Sequence, residues 1–142
     1  MKTKLLSIII VFFTLTSNAQ TYMYGTTSEG GANNLGTIYR VDENGQNFQK
    51  LFDFTTFTGG LPNSGLTLAN NGKLYGFTTL NGQIVNPGAT IALGSFFEFD
   101  PLTNTLNVIE YIDDQSEIGM NIYHSPLLAS DNKLYFTSEN IN

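Results

Sequence analysis

Gly65-Leu66-Thr67-Leu68-Ala69-Asn70-Asn71-Gly72-Lys73-Leu74-Tyr75 decides the fold, because it returns as Ser125-Pro126-Leu127-Leu128-Ala129-Ser130-Asp131-Asn132-Lys133-Leu134-Tyr135. Each copy sets two short apolar runs around a turn of Asn, Asp or Gly, residues that accept positive φ, which is the pattern of a β-hairpin. Working outward, the echo continues. Tyr24-Gly25-Thr26-Thr27 returns as Tyr75-Gly76-Phe77-Thr78-Thr79 and again as Tyr135-Phe136-Thr137-Ser138. Gly36-Thr37-Ile38-Tyr39-Arg40-Val41-Asp42 returns as Gly94-Ser95-Phe96-Phe97-Glu98-Phe99-Asp100. The spacings are 51 (24 to 75), 58 (36 to 94) and 60 (75 to 135). The growth sits in two loops, 81–93 and 113–123, and insertions confined to loops are what repeat folds tolerate.

One full unit holds four strand-like runs, at 66–69, 74–79, 95–99 and 106–112, each short, rich in aromatic or branched residues and bounded by turn residues. In the third run Tyr39 and Val41 share one face, as do Phe97 and Phe99. Ile38 and Arg40 share the other, as do Phe96 and Glu98. Apolar bulk on both faces predicts a sheet covered on both sides. A four-stranded antiparallel sheet recurring every 50 to 60 residues is the unit of a β-propeller. The expected class is therefore all-β and propeller-like, with antiparallel pairing and no helix beyond the leader. Its divisions are a leader at 1–19, a partial first blade at 20–64, a second at 65–124 and the start of a third at 125–142.

Lys2 and Lys4 precede an apolar run from Leu5 to Leu15 that only Ser7 and Thr14 interrupt. Ser17 and Ala19 then supply the small residues that signal peptidase reads, which places the cut between Ala19 and Gln20. The run is about half of what a bilayer crossing needs, which disfavours a membrane anchor. The absence of cysteine at the cut disfavours a lipoprotein. The expectation is export by a Sec-type route, and the Ala-Gln junction resembles those of Gram-negative exported proteins.

Lysines and arginines total 6 and acids 12; losing Lys2 and Lys4 leaves 4 against 12, a net charge of −8. Phosphate binding needs a basic face, so nucleic acid and anionic membrane are poor partners. Charged residues and aromatics each make 13%, the reverse of the disordered composition, so the chain should fold. Without cysteine there is neither disulfide nor thiol ligand, and stability must come from packing or assembly.

Met23–Thr27, the Gly/Asn-rich segment 28–35, Gly36–Asp42 and Leu51–Phe54 together resemble the GloVer (Gloeo/Verruco) tandem repeat of exported bacterial proteins. The second repeat departs from the pattern by a longer loop without Gly-Gly, and the third stops at Asn142. The resemblance implies a propeller-like architecture and a secreted or outer-surface address. It implies no activity.

The strand runs number three, then four, then two, whereas closed propellers need at least four blades, roughly 200 residues. The chain thus reads as part of a longer protein, about two and a half blades, whose remaining blades would be its first partners. Open edges, and faces carrying Ile38, Tyr39, Phe96 and Phe97, predict that residues 20–142 alone self-associate.

Candidate chemistry is sparse. His124, the sole histidine, precedes Ser125 and Pro126, but no Gly-x-Ser-x-Gly elbow occurs and one histidine without cysteine makes a poor zinc site. Asp42-x-Asn44 begins like a calcium loop, yet Asn47 stands where glycine belongs and Asp53 where glutamate belongs, so a hairpin turn is the better reading. The segment 29–36 lacks phosphate-loop spacing and reads as an interstrand loop. Asp113, Asp114 and Glu117 could pair for glycosidase chemistry or hold a cation, but as neighbours on one loop they read as a solvated cluster. Tyr22, Tyr24, Tyr75, Phe77, Tyr135 and Phe136 could stack on a sugar, although recurrence in every repeat favours core packing. No catalytic residue, metal or cofactor is assigned. The reading is a non-enzymatic exported propeller binding a protein or glycan partner. The alternative is part of a propeller hydrolase or lyase whose catalytic residues lie in other blades.

Overall fold

The computed structural model describes residues 21–80, 87–88, 92–119 and 122–139; the leader, the Ala19–Gln20 junction and most of the loop 81–93 lie outside them. All regular structure within these residues is β. The first sheet is β1 (Tyr22–Thr27), β2 (Thr37–Asp42) and β3 (Gln49–Asp53). The second is β4 (Thr67–Leu68), β5 (Leu74–Thr78), β6 (Ala92–Asp100) and β7 (Thr105–Asp113), and the third is β8 (Leu127–Leu128) with β9 (Leu134–Tyr135). Neighbours in sequence are neighbours in each sheet, and every strand pair is antiparallel. None of the sheets closes on itself. Among the described residues no helix is long and apolar enough to cross a membrane.

The sequence echo is an echo of geometry. Thr67 pairs with Tyr75 and Leu68 with Leu74, as Leu127 pairs with Tyr135 and Leu128 with Leu134. Both turns are held by the same two bonds: Ala69 N–H to Lys73 O and Gly72 N–H to Ala69 O, then Ala129 N–H to Lys133 O and Asn132 N–H to Ala129 O. Gly72 and Asn132 both take positive φ, which is why Asn can replace Gly there. At the strand ends Thr27 Oγ1 lies 2.9 Å from Thr37 Oγ1, and Thr78 Oγ1 lies 3.0 Å from Ser95 Oγ.

The Tyr-Gly motif has a packing cause. Gly25 pairs with Tyr39, and Gly76 with Phe97. A Cβ on Gly25 would stand 2.6 Å from Tyr39 Cζ, and one on Gly76 2.8 Å from Phe97 Cζ, so each glycine makes room for the ring opposite it. The third repeat breaks this rule. Phe136 stands in the glycine's place, and its own ring packs toward the second sheet, 4.8 Å from Phe77 and 6.2 Å from Phe96.

The core consists of one junction between sheets and a second cluster on the far face of the second sheet. Ile38 and Phe54 of the first repeat meet Leu74, Phe97 and Phe99 of the second, all fully or almost fully buried. Edge-on ring pairs cross this junction, with Phe54–Phe97 centroids 5.3 Å apart and Phe52–Phe99 6.0 Å. The other face of the second sheet carries Phe77, Phe96 and Ile112, joined by Ile122. The expectation that Ile38 and Phe97 lie on uncovered faces is therefore wrong: β2 and β6 press these two residues into the same junction.

The segment 55–66 stitches the first sheet to the second. Leu61 N–H bonds Leu35 O, Gly60 N–H bonds Leu80 O, and Ser64 Oγ exchanges bonds with the backbone of Phe77 at 2.9 and 3.2 Å.

Candidate functional site

A groove of about 540 Å³ opens between the second and third sheets, lined by Ala69, Asn70, Asn71, Tyr75, Phe96, Asn132, Leu134 and Phe136. Its two walls come from the two copies of the hairpin, so the repeat itself builds the site. Turn residues supply the amides: Asn70 and Asn71 from the β4–β5 turn, Asn132 from the β8–β9 turn. Strand residues supply the rings, with Tyr75 and Phe96 6.1 Å apart and tilted by 32°. Asn70 Nδ2 donates to Asn132 Oδ1 at 2.5 Å and links the two hairpin turns. At the equivalent first junction Phe97 and Phe99 of β6 pack against Ile38 and Phe54; among the described residues the third sheet holds β8 and β9.

A polar network fixes the Tyr75 wall. Tyr75 pairs across the sheet with Glu98, and its hydroxyl donates to Glu98 Oε2 at 2.7 Å. Lys73 Nζ donates to Glu98 Oε1 at 2.5 Å, and Asn71 Nδ2 donates to the Tyr75 hydroxyl at 2.9 Å. The lysine hydrogen bond, then the tyrosine bond, hold the Glu98 carboxyl below the usual carboxylate range. Glu98 in turn raises Lys73. Burial, followed by the bond to Glu98, raises the Tyr75 phenol, which keeps it a neutral donor. Lys73 and Glu98 carry no motif and were not singled out by sequence reading. The signal available was the echo itself, since Arg40 and Glu98 occupy the same repeat position with opposite charge.

The Gloeobacter/Verrucomicrobia repeat model matches residues 12–142. The chain belongs to this repeat family. No curated protein and no solved structure matches it. Membership fixes the repeat and leaves the chemistry to the residues.

The remaining candidates fall into structural roles or stay apart. Asp42, at the end of β2, accepts the backbone N–H of Asn44 and Gln46 on Oδ1 and Asn47 Nδ2 on Oδ2, which makes it the organiser of the hairpin turn. In the glycine-rich segment of the repeat, Ala32 N–H donates to Asp53 Oδ1 and Asn33 Nδ2 to Phe54 O, so its donors close the end of β3. Lys50, and then Ala32, hold Asp53 below the usual carboxylate range. Asp113 departs from expectation: it is the last residue of β7, fully buried, and accepts Gln115 N–H at 3.0 Å, so it is no part of a solvated loop. Glu117 is exposed and Asp114 half-buried. His124 is exposed beside Tyr123 and Thr137 and is not among the residues that line the groove. Of the recurring aromatics, Phe77 is core, Tyr24 packs against the first junction, and Tyr75 and Phe136 line the groove. Tyr135 lies on the outer face of the third sheet and is 51% exposed. Among the described residues no group of three His, Cys, Asp or Glu side chains could hold a metal ion.

Proposed function

We propose that this is an exported, non-catalytic β-repeat protein, cleaved between Ala19 and Gln20, that binds a carbohydrate in the groove between its second and third sheets. The groove carries this reading. A sugar ring has apolar C–H faces and a polar rim of hydroxyls. The groove answers with the rings of Tyr75, Phe96 and Phe136 along its walls and the amides of Asn70, Asn71 and Asn132 at its rim. Amides both donate and accept, as hydroxyl recognition requires. The volume lies within the usual range for ligand pockets, about 300–1,000 Å³. The leader composition supports an address outside the cell, where polysaccharide is met. The stacking of sheets face to face fits a propeller-like array, the finer architecture proposed here.

Affinity electrophoresis in gels containing a panel of bacterial and plant polysaccharides tests the reading. Retardation of the wild type by at least one polysaccharide is expected. Tyr75→Ala removes a stacking ring worth about 1 kcal/mol and should weaken binding roughly fivefold. Absence of retardation across the panel, or retardation of Tyr75→Ala and Asn70→Ala equal to that of the wild type, would overturn it.

A further inference from the structure

The dipeptide Asn-Gly stands in two described turns that match in backbone and differ in side-chain bonding. Asn44-Gly45 lies between β2 and β3, and Asn71-Gly72 between β4 and β5. In both, the glycine N–H donates to the carbonyl three residues back at 3.0 Å, Gly45 to Asp42 O and Gly72 to Ala69 O. Both glycines take positive φ, +74 and +78, and a Cβ on either would meet nothing within 4 Å. Both asparagines are exposed. Their carboxamides are held differently. Asn71 Nδ2 donates to the Tyr75 hydroxyl at 2.9 Å, and Asn71 Oδ1 accepts the Lys73 N–H at 3.1 Å. Asn44 is tied through its backbone N–H, which donates to Asp42 Oδ1, and its carboxamide has no hydrogen-bond partner among the described residues. A further Asn-Gly, at 81–82, lies outside the described residues.

We infer that Asn44 is a site of spontaneous deamidation, and that Asn71, the same dipeptide in the same kind of turn, is protected by the two bonds on its carboxamide. Glycine has no side chain to shield its nitrogen, so that nitrogen can reach the side-chain carbonyl of the preceding asparagine. A base takes the Gly45 N–H proton, the nitrogen bonds to Asn44 Cγ, and the Cγ–Nδ2 bond breaks to release ammonia, with water returning the proton. Water then opens the succinimide ring at either carbonyl and leaves aspartate or isoaspartate. Attack requires the carboxamide to swing over the glycine nitrogen and the turn bond to that nitrogen to open. At Asn44 nothing more is needed. At Asn71 the bonds to Tyr75 and Lys73 must break as well, and the net worth of two such bonds makes its reaction roughly tenfold slower or more. The product sets a new carboxylate beside Asp42, the buried organiser of the turn, and isoaspartate lengthens the backbone there. The β2–β3 hairpin is thus where this chain modifies itself with age, whatever the groove binds.

Peptide mapping by mass spectrometry tests it, on the full chain held at mildly alkaline pH and sampled over time, with isoaspartate assigned by fragmentation. In the folded protein Asn44 should deamidate roughly tenfold faster than Asn71 or more. In concentrated urea, where both turns are lost, the two rates should converge. Tyr75→Phe removes one of the two bonds from the Asn71 carboxamide, so it should raise the Asn71 rate severalfold and leave the Asn44 rate unchanged. A cooperative melt verifies that this variant folds; if it does not, the comparison of folded and urea-treated wild type decides alone. Equal rates at the two sites in the folded protein, a faster Asn71, a difference that persists in urea, or an unchanged Asn71 rate in folded Tyr75→Phe would each overturn the inference.

Discussion

Two glycines with positive φ separate backbone strain from steric contact. Gly94 takes φ +136 at the start of the second sheet's third run, and a Cβ there would stand 2.1 Å from the carbonyl oxygen of Thr78. That oxygen belongs to β5, whose Thr78 pairs with Ser95 of β6, so shifting it disturbs the pairing. Gly72, at φ +78 in the turn, has nothing within 4 Å of such a Cβ. Gly72→Ala therefore carries only the left-handed backbone cost, about 1–2 kcal/mol. Gly94→Ala adds a clash against fixed backbone, with an overpacking cost of roughly 1–3 kcal/mol on top. Urea denaturation of the two variants should rank them in that order, and equal midpoints would show that β5 yields at Thr78. Gly36 repeats the arrangement in the first sheet, where a Cβ would meet Thr27 O at 2.2 Å. Sequence alone showed these glycines only as punctuation between strands.

Pairing of the elements gives the Lys73–Glu98–Tyr75 network a pH signature. It ties β5 to β6 and the hairpin turn to both. Because Glu98 is held low by Lys73 and Tyr75, its contribution is fully present at neutral pH and is lost as pH falls below the ordinary carboxylate range. Lys73, raised by Glu98, keeps its share until pH climbs past the ordinary lysine range. Glu98→Gln should therefore melt lower than wild type at neutral pH, and the gap should close on acidification. A gap that persists at low pH would assign the loss to packing. Strand order, hairpin pairing and the second sheet's four strands were all legible, since each rests on local alternation and turn chemistry that recur in the sequence. Strand lengths were less so: β6 and β7 run to nine residues each, past the shorter runs read from sequence, because register shifts at Phe96/Phe97 and near Gly94 let the ladder continue where alternation lapses. The groove was legible only as a list of recurring aromatics. Which of them are core and which line a wall depends on Phe136 replacing a glycine, a substitution whose consequence appears only when the sheets are stacked.

At the scale of the whole molecule the two junctions are unequal. The first joins Ile38, Phe54, Leu74, Phe97 and Phe99 in one buried cluster, backed by the stitches of residues 55–66. The second holds a two-stranded sheet with two pairs of facing residues, the Thr67 hydroxyl bond to Pro126 O, the exposed Asn70–Asn132 bond, and Phe136, itself 37% exposed. In stacked repeats stability is a sum of unit and neighbour terms, so a weak neighbour term lets the terminal unit open alone. Phe97→Ala should cost about 3–5 kcal/mol and lower the main unfolding transition, because the cavity falls where the first and second sheets share their core. Phe136→Ala should leave that transition nearly in place and act locally. Hydrogen exchange at residues 127–135 should accelerate toward unprotected rates while β5 and β6 stay protected. Retained protection at residues 127–135 in Phe136→Ala, or a main transition lowered as far as in Phe97→Ala, would show that all three sheets unfold as one unit and that the third sheet is held by its backbone links.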